Sequence, residues 1–197
     1  MDERSALEMY QRGYFPMPDP VTGQVHWYAP DPRAILPLER FHVPRNLARL
    51  VRRGVFAVTF DQAFDEVVRA CAARPATWIV PELQEMYRAL YRRGHAHSVE
   101  CWQAGQLVGG LFGVSIGGAF FGESMFHRVS EASKVALVHL VAHLRRQGFR
   151  LLDIQMLTPH FQQFGAEEIP RTVFEQLLAA AIALPVHWAP DVRNLSS

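Results

Sequence analysis

Lysine occurs once in this chain, at Lys134, and every other basic residue of the strongly charged kind is arginine. Cysteine occurs twice, as Cys71 and Cys101. That is too few for the disulfide framework of a small secreted domain, and two buried free thiols in a reducing compartment are the expected state. No apolar run approaches the roughly 18 to 20 residues that a membrane span requires. The opening MDERSALEMYQRG is acidic where a secretory leader is basic and then apolar, so the expectation is a cytoplasmic protein that engages no membrane. A formal net charge of +1 excludes capture of a polyanion by overall charge and leaves that task to a local patch. Regular repeats are also missing: VHWYAPDPR at 25–33 and VHWAPDVR at 186–193 echo each other without a period and are read as coincidence.

The chain that remains has 197 residues, 49% of them hydrophobic, enough for one sizeable core with a small appended unit. Residues 1–32 read as that unit: Ala6 to Arg12 is helical in character, and Gly13, Pro16, Pro18, Pro20, Gly23, Pro30 and Pro32 interrupt any longer element after it. From residue 33 to 197 the pattern is that of a larger domain. It opens with a short strand at 34–38, a helix at 44–53, a strand at 55–60 and an amphipathic helix through Phe64, Val67, Val68 and Cys71. TWIV at 77–80 reads as extended or turn-like, and a helix runs from about Pro81 to Arg93, closed by Gly94. HSVECWQ, the turn AGQ and LVGGLFGVSIGGAFFGESMF form an antiparallel run, with two strands joined near Gly117 and Gly118 and bulges or close backbone approaches at the other glycines. A long helix at 130–147 begins at a Ser130 cap and ends at Gly148. A strand at 149–157 and a helix from Phe174 to Ala183 come next, and the tail from Pro185 is irregular. The order predicts an α/β (α+β) fold with a mixed sheet flanked by helices.

Two familiar patterns lose to plainer readings, and a third stays open. GVSIG at 113–117 matches the nucleophile elbow, but a strand comes after it where that motif needs a helix, so Ser115 belongs in a hairpin. His139 and His143 have metal-ligand spacing on a helix, yet no glutamate completes the motif and no metal site is expected. Arg45, Arg49, Arg52 and Arg53 lie on one helical face with no acid between them. The stripe suits phosphate contacts, and an ordinary solvated face would look the same.

GESMF at 122–126 and LLDIQ at 151–155 are more informative. Glu123 sits among Phe120, Phe121, Met125 and Phe126, where a carboxylate must find a cation or a donor, or shift its pKa. Strand alternation places it on the face of Phe121 and Met125, and places Leu151, Asp153 and Gln155 together on another strand. Two strands then aim polar groups into one apolar cleft, the usual form of a small-substrate site, although a buried structural network accounts for the same pattern.

With YQRGYFPM, HWYAPDPRA, GHAHSVECW, LVGGLFGVSIGGAFFGESMF, ASKVAL, LLDIQ and FGAEEIPR in this order, the chain resembles the bacterial leucyl/phenylalanyl-tRNA-protein transferases from about Tyr10 to the final helix. The resemblance implies an acetyltransferase-like catalytic domain behind a small amino-terminal domain, shortened relative to the family. It implies transfer of leucine or phenylalanine, and sometimes methionine, from aminoacyl-tRNA to proteins beginning with arginine or lysine, marking them for degradation. It assigns Asp153 and Gln155 as the catalytic pair and Glu123 as the active-site glutamate. Leu111, Phe120, Met125, Leu137, Leu140 and Leu144 become the aminoacyl side-chain pocket, where Phe120 and Met125 share a face only across a bulge. Met17, Trp27, Tyr28, Trp78 and Tyr87 fall around the aminoacyl-adenosine, with Met17 in place of the family's tryptophan and Gln163 in place of a serine. The arginine stripe is assigned to the tRNA phosphates. No cofactor is implied, and a monomer is expected. Two alternatives stand: an acyl-coenzyme A N-acetyltransferase, whose glycine-rich phosphate loop is replaced here by HRVSEAS, and a non-catalytic tRNA or peptide-end binding module.

Overall fold

The computed structural model describes residues 2–74 and 77–189; the end of the tail, 190–197, lies outside the described residues. The chain runs α1 (Glu3–Gln11), β1 (Phe15–Pro18), β2 (Val25–Tyr28), β3 (Arg33–Ile35), a 3-10 turn (Leu38–Arg40), α2 (Arg45–Arg52), β4 (Ala57–Phe60), α3 (Phe64–Ala72), α4 (Pro81–Arg92), β5 (Ala96–Gln103), β6 (Gln106–Ile116), β7 (Ala119–His127), α5 (Ala132–Gln147), β8 (Leu151–Gln155), α6 (Pro159–Gln162), β9 (Glu167–Ile169) and α7 (Arg171–Ile182). Among the described residues, β1 and β2 form a two-stranded hairpin, and the others form a seven-stranded sheet in the order β4-β5-β6-β7-β8-β3-β9. All its pairings are antiparallel except β7 with β8. A parallel pair needs a crossover, and α5 supplies it.

Helices cover both faces, giving the mixed α/β sheet flanked by helices that the sequence indicated. On one face α1, α3, α4 and α7 bury Tyr10, Val67, Val68, Leu83, Leu90, Phe174 and Leu178 against Phe112, Val114 and Phe121. On the other, α2 and α5 bury Leu47, Leu137, Leu140 and Leu144 against Val99, Leu111, Phe120 and Leu152. The amino-terminal segment shares the first of these clusters: Ala6, Tyr10 and Phe15 belong to it. The hairpin ends at Tyr28, and the chain enters the large sheet at Arg33.

The hairpin was hidden by its prolines. Pro16 and Pro18 lie in β1 opposite Trp27 and Val25; a proline is tolerated in a strand whose N–H side has no neighbour to serve. The helix α5 also starts later than expected. Its N-cap is Glu131, in the left-handed region at φ 70, and not Ser130. The N–H groups of Arg128 and Val129 still donate to Val108 O, so the chain remains tied to β6 until the turn at 130–131. Gly109 permits that close start, because a Cβ there would lie 2.5 Å from Ala132 Cβ.

Candidate active site

The parallel pairing of β7 with β8 covers Ala119 with Leu151, Phe120 with Leu152 and Phe121 with Asp153, and then stops. Beyond that point the two strands continue without pairing, and a cavity of about 300 Å³ opens in the split. It is lined from both sides of the sheet, by Phe15, Met17, Trp78 and Phe112 on one and by Leu111, Leu137, Leu140, Leu152 and Ile154 on the other. The polar groups that reach it come from the middle of β7, from the end of β8 and the turn after it, and from the α3–α4 connection: Glu123, Ser124, Gln155, Thr158 and Arg74.

Glu123 occupies a bulge. Phe112 pairs with Ser124 while Gly113 pairs with Gly122, so Glu123 is the extra residue. This corrects the simple alternation: Glu123 faces the tyrosines on the Phe121 side, and Met125 packs on the opposite side with Phe120. Each carboxylate oxygen accepts one phenol, Oε1 from Tyr10 at 2.8 Å and Oε2 from Tyr87 at 2.7 Å. Burial pushes the Glu123 carboxyl up to about 7; the two phenols oppose the rise, and the nearby Asp153 charge adds to it. Burial and the Glu123 charge likewise hold both tyrosines well above their ordinary value, so they stay donors.

Asp153 is fully buried and does not line the cavity. Arg33, also fully buried, grips it through Nε to Oδ1 at 2.9 Å and Nη2 to Oδ2 at 2.6 Å, and donates from Nη1 to Gly13 O at 3.0 Å. The guanidinium carbon lies 4.6 Å from the centre of Phe174 and 5.0 Å from that of Phe15. Gln155 lies two residues on, with its backbone N–H donating to Asp153 Oδ1 at 3.0 Å and its φ at +60. A non-glycine residue rarely adopts this conformation, and here the Asp153 carboxylate holds it. The turn brings Gln155, Met156 and Thr158 to the cavity. The amide nitrogen of Gln155 is buried and makes no hydrogen bond among the described residues.

The remaining sequence expectations divide. Leu111, Met125, Leu137 and Leu140 line the cavity, as do Met17 and Trp78. Phe120 does not: the bulge brings it to Met125's side, as expected, but its ring is fully buried and stacked 5.6 Å from Trp188. Leu144 lies one helical turn past Leu140 in the interior and also misses the cavity. Tyr87 is a support beneath Glu123 and not a surface for a base. Trp27 packs edge-on against Tyr10 at 5.6 Å, and Tyr28 is exposed near Phe15 at 6.4 Å, neither at the cavity. Arg45, Arg49, Arg52 and Arg53 are exposed on or just beyond α2, and among the described residues none forms an ion pair. Ser115 lies within β6 opposite Phe120, away from any strand-to-helix turn, and His143 packs 4.7 Å from Phe60 and 4.4 Å from Trp188.

The residues missed were Tyr10, Arg33 and Arg74. The signal for Arg33 was there: an arginine beside Ala34 and Ile35 in an apolar strand, matching an aspartate in another, has the composition of a buried pair. Arg74 carried none, since an arginine after Ala72 and Ala73 at the end of a helix is unremarkable in sequence.

A family model described as leucyl/phenylalanyl-tRNA protein transferase matches residues 35–179. The chain belongs to that family. It is 57% identical over 184 residues to the leucyl/phenylalanyl-tRNA–protein transferase of Salinibacter ruber, covering 93% of this chain and 81% of that one. It is 51% identical over 179 residues to that of Gloeobacter violaceus, covering 91% and 93%. It is therefore an aminoacyltransferase. Among solved structures, the chain resembles L-PGS from Bacillus licheniformis with a TM-score of 0.46 and 13% identity, covering 79% of this chain and about half, 51%, of that one. A likeness this distant carries nothing about function. None of the helices among the described residues is long and apolar enough to cross a membrane.

Proposed function

We propose that the cavity takes the aminoacyl end of a charged tRNA, and that the protein passes leucine or phenylalanine to the amino terminus of cytoplasmic proteins beginning with arginine or lysine, marking them for degradation. The observation that carries this reading is the pairing of an apolar blind end, walled by Leu111, Leu137 and Leu140, with an unpartnered amide donor, Gln155 Nε2, at the same cavity. A buried donor without an acceptor costs about 1 to 3 kcal/mol, and an ester carbonyl or an attacking amine beside it recovers that cost.

An aminoacyl ester is already activated. The neutral amine attacks the ester carbon, the carbon–oxygen bond to the ribose breaks, and the amine proton leaves with the ribose oxygen. With an amine pKa near about 8, part of the acceptor is neutral at pH 7 and the task is mainly positioning. Gln155 orients the reacting groups. Asp153 supports it from behind: as a buried carboxylate bound by a guanidinium, it acts through Gln155 and takes no proton. Glu123, at the wall of the cavity, holds an ammonium group, which draws its carboxyl back toward the charged form.

The acyl-coenzyme A alternative meets a specific obstacle. At the amino terminus of α5, where pyrophosphate would need free N–H groups, the cap is Glu131, paired with Lys134 at 2.8 Å. The test of the proposal mixes leucyl-, phenylalanyl- and methionyl-tRNA with peptides beginning in arginine, lysine or alanine, and reads the mass added. Addition of leucine or phenylalanine to the basic peptides alone supports it; labelling by acetyl-coenzyme A instead would overturn it.

A further inference from the structure

Arg74 stands in the turn after α3 and lines the cavity beside Met17, Trp78 and Ser124. It is the one cationic residue in that lining among the described residues; the other polar groups there are neutral or acidic. Its side chain is exposed, and its hydrogen-bond partners are both neutral, Nη2 donating to Ser124 Oγ at 2.8 Å and Nε to Cys71 O at 3.2 Å. No carboxylate among the described residues pairs with it, although Arg33, Arg88 and Arg171 each find one elsewhere in the molecule. A guanidinium carries five N–H donors, so most of this one's remain to be used.

An arginine braced at the mouth of an apolar cavity by Nε and Nη2, with the two Nη1 N–H groups and one on Nη2 unengaged, suits a phosphate, whose oxygens accept them. Resting on the aminoacyl-tRNA reading above, we propose that Arg74 binds the phosphate that joins the donor's terminal adenosine to the nucleotide before it. The aminoacyl group fills the blind end, the adenosine lies between Met17 and Trp78, and the first anion along the strand then meets Arg74. This contact is separate from the exposed arginines of α2, which are not at the cavity. It ties the reacting ester to the backbone at one phosphate, whatever the rest of the tRNA does.

The test compares wild-type protein with Arg74→Gln, which keeps a donor for Ser124 but loses the charge, on three donors. These are phenylalanyl-tRNA, the phenylalanyl ester of the dinucleotide CpA with its single phosphate, and phenylalanyl-adenosine, which has none. The expected result is a KM raised about tenfold for the first two, with KM for phenylalanyl-adenosine and kcat throughout unchanged, and with a partial recovery in Arg74→Lys. A melting temperature equal to wild type shows that the variant is folded. An equal loss on phenylalanyl-adenosine would mean that Arg74 only braces Ser124, and no change on any donor would remove it from the site; either overturns the proposal while leaving the enzyme's reaction intact. Wild-type protein inactive with all three donors would overturn the underlying reading and this proposal with it.

Discussion

Arg33 and Asp153 meet as two wholly buried charges, with Nε 2.9 Å from Oδ1 and Nη2 2.6 Å from Oδ2. They lie 120 residues apart in the sequence, on adjacent strands, β3 and β8. Through Gly13 O on one side and the Gln155 N–H on the other, the pair ties the turn after α1 to the strand end that carries the candidate reactive amide. A buried pair of this kind contributes specificity of position more than stability.

Removing one partner leaves the other charge buried and uncompensated. Arg33→Met and Asp153→Leu should each lower the free energy of unfolding by about 3 to 5 kcal/mol. Combined, they should cost less than either single change, because an apolar pair replaces an ionic one. Urea unfolding measures this. Transfer should stay low in the double variant, since Gln155 has lost the acceptor that holds its backbone. Recovery of turnover along with stability would show that the carboxylate serves the fold alone.

Gln155 is held at φ +60, a conformation that costs a non-glycine residue about 1 to 2 kcal/mol. Gln155→Gly should therefore melt at or above the wild-type temperature, whereas the β-branched Gln155→Val should melt below it. Both should lose turnover, by about 100-fold if positioning is the role. Stability gained while activity is lost is the expected signature of strain kept for function. A glycine variant with near-normal kcat would remove Gln155 from the reaction.

How far the sequence anticipated this site depends on what each feature needed. The strands of β5, β6 and β7 and the helix α5 were legible because their periodicity and glycine punctuation are local. Asp153, Gln155 and Glu123 stood out because polar groups in apolar strands need partners. The identity of those partners was not legible: Tyr10, Tyr87 and Arg33 lie on α1, α4 and β3, and only the folded sheet brings them in. The parity of Phe120 and Met125 called for a bulge if they were to share a pocket, but its place at Glu123, and the consequence that Glu123 parts from Met125, required the register. Leu144 and Phe120 do not line the cavity for a related reason. Helical and strand spacing gives the face a residue shares, and not the depth at which the cavity ends.

Glu123 should leave a mark on the pH dependence of stability. Its carboxyl is raised from an ordinary 4.5 to about 7, so the folded state favours the protonated form. The stability this group contributes is complete below pH 4.5 and is lost as the pH rises through about 7. The difference in unfolding free energy between Glu123→Gln, which carries no such proton, and wild type should shift in favour of the variant across that window, by up to about 3 kcal/mol. Unfolding at pH 4.5, 6, 7 and 8 checks this, with transfer expected to fall in the variant throughout. A gap independent of pH would show that the carboxyl ionises normally.

The depth of the cavity makes a separate prediction about the choice of amino acid. Leu137 and Leu140 wall it, while Leu144, one turn further along α5, is buried beyond it. Leu140→Ala should enlarge the blind end and raise the kcat/KM ratio of phenylalanyl- over leucyl-tRNA by about tenfold, the scale on which apolar pockets discriminate by size. Leu144→Ala removes the same atoms from packed interior. It should cost about 2 to 5 kcal/mol of stability and leave the ratio where it was, measured with the folded fraction at a temperature well below melting. If Leu144→Ala moved the ratio as much as Leu140→Ala, the blind end would reach deeper along α5 than the cavity does, and the side-chain pocket would have to be redrawn around the second leucine.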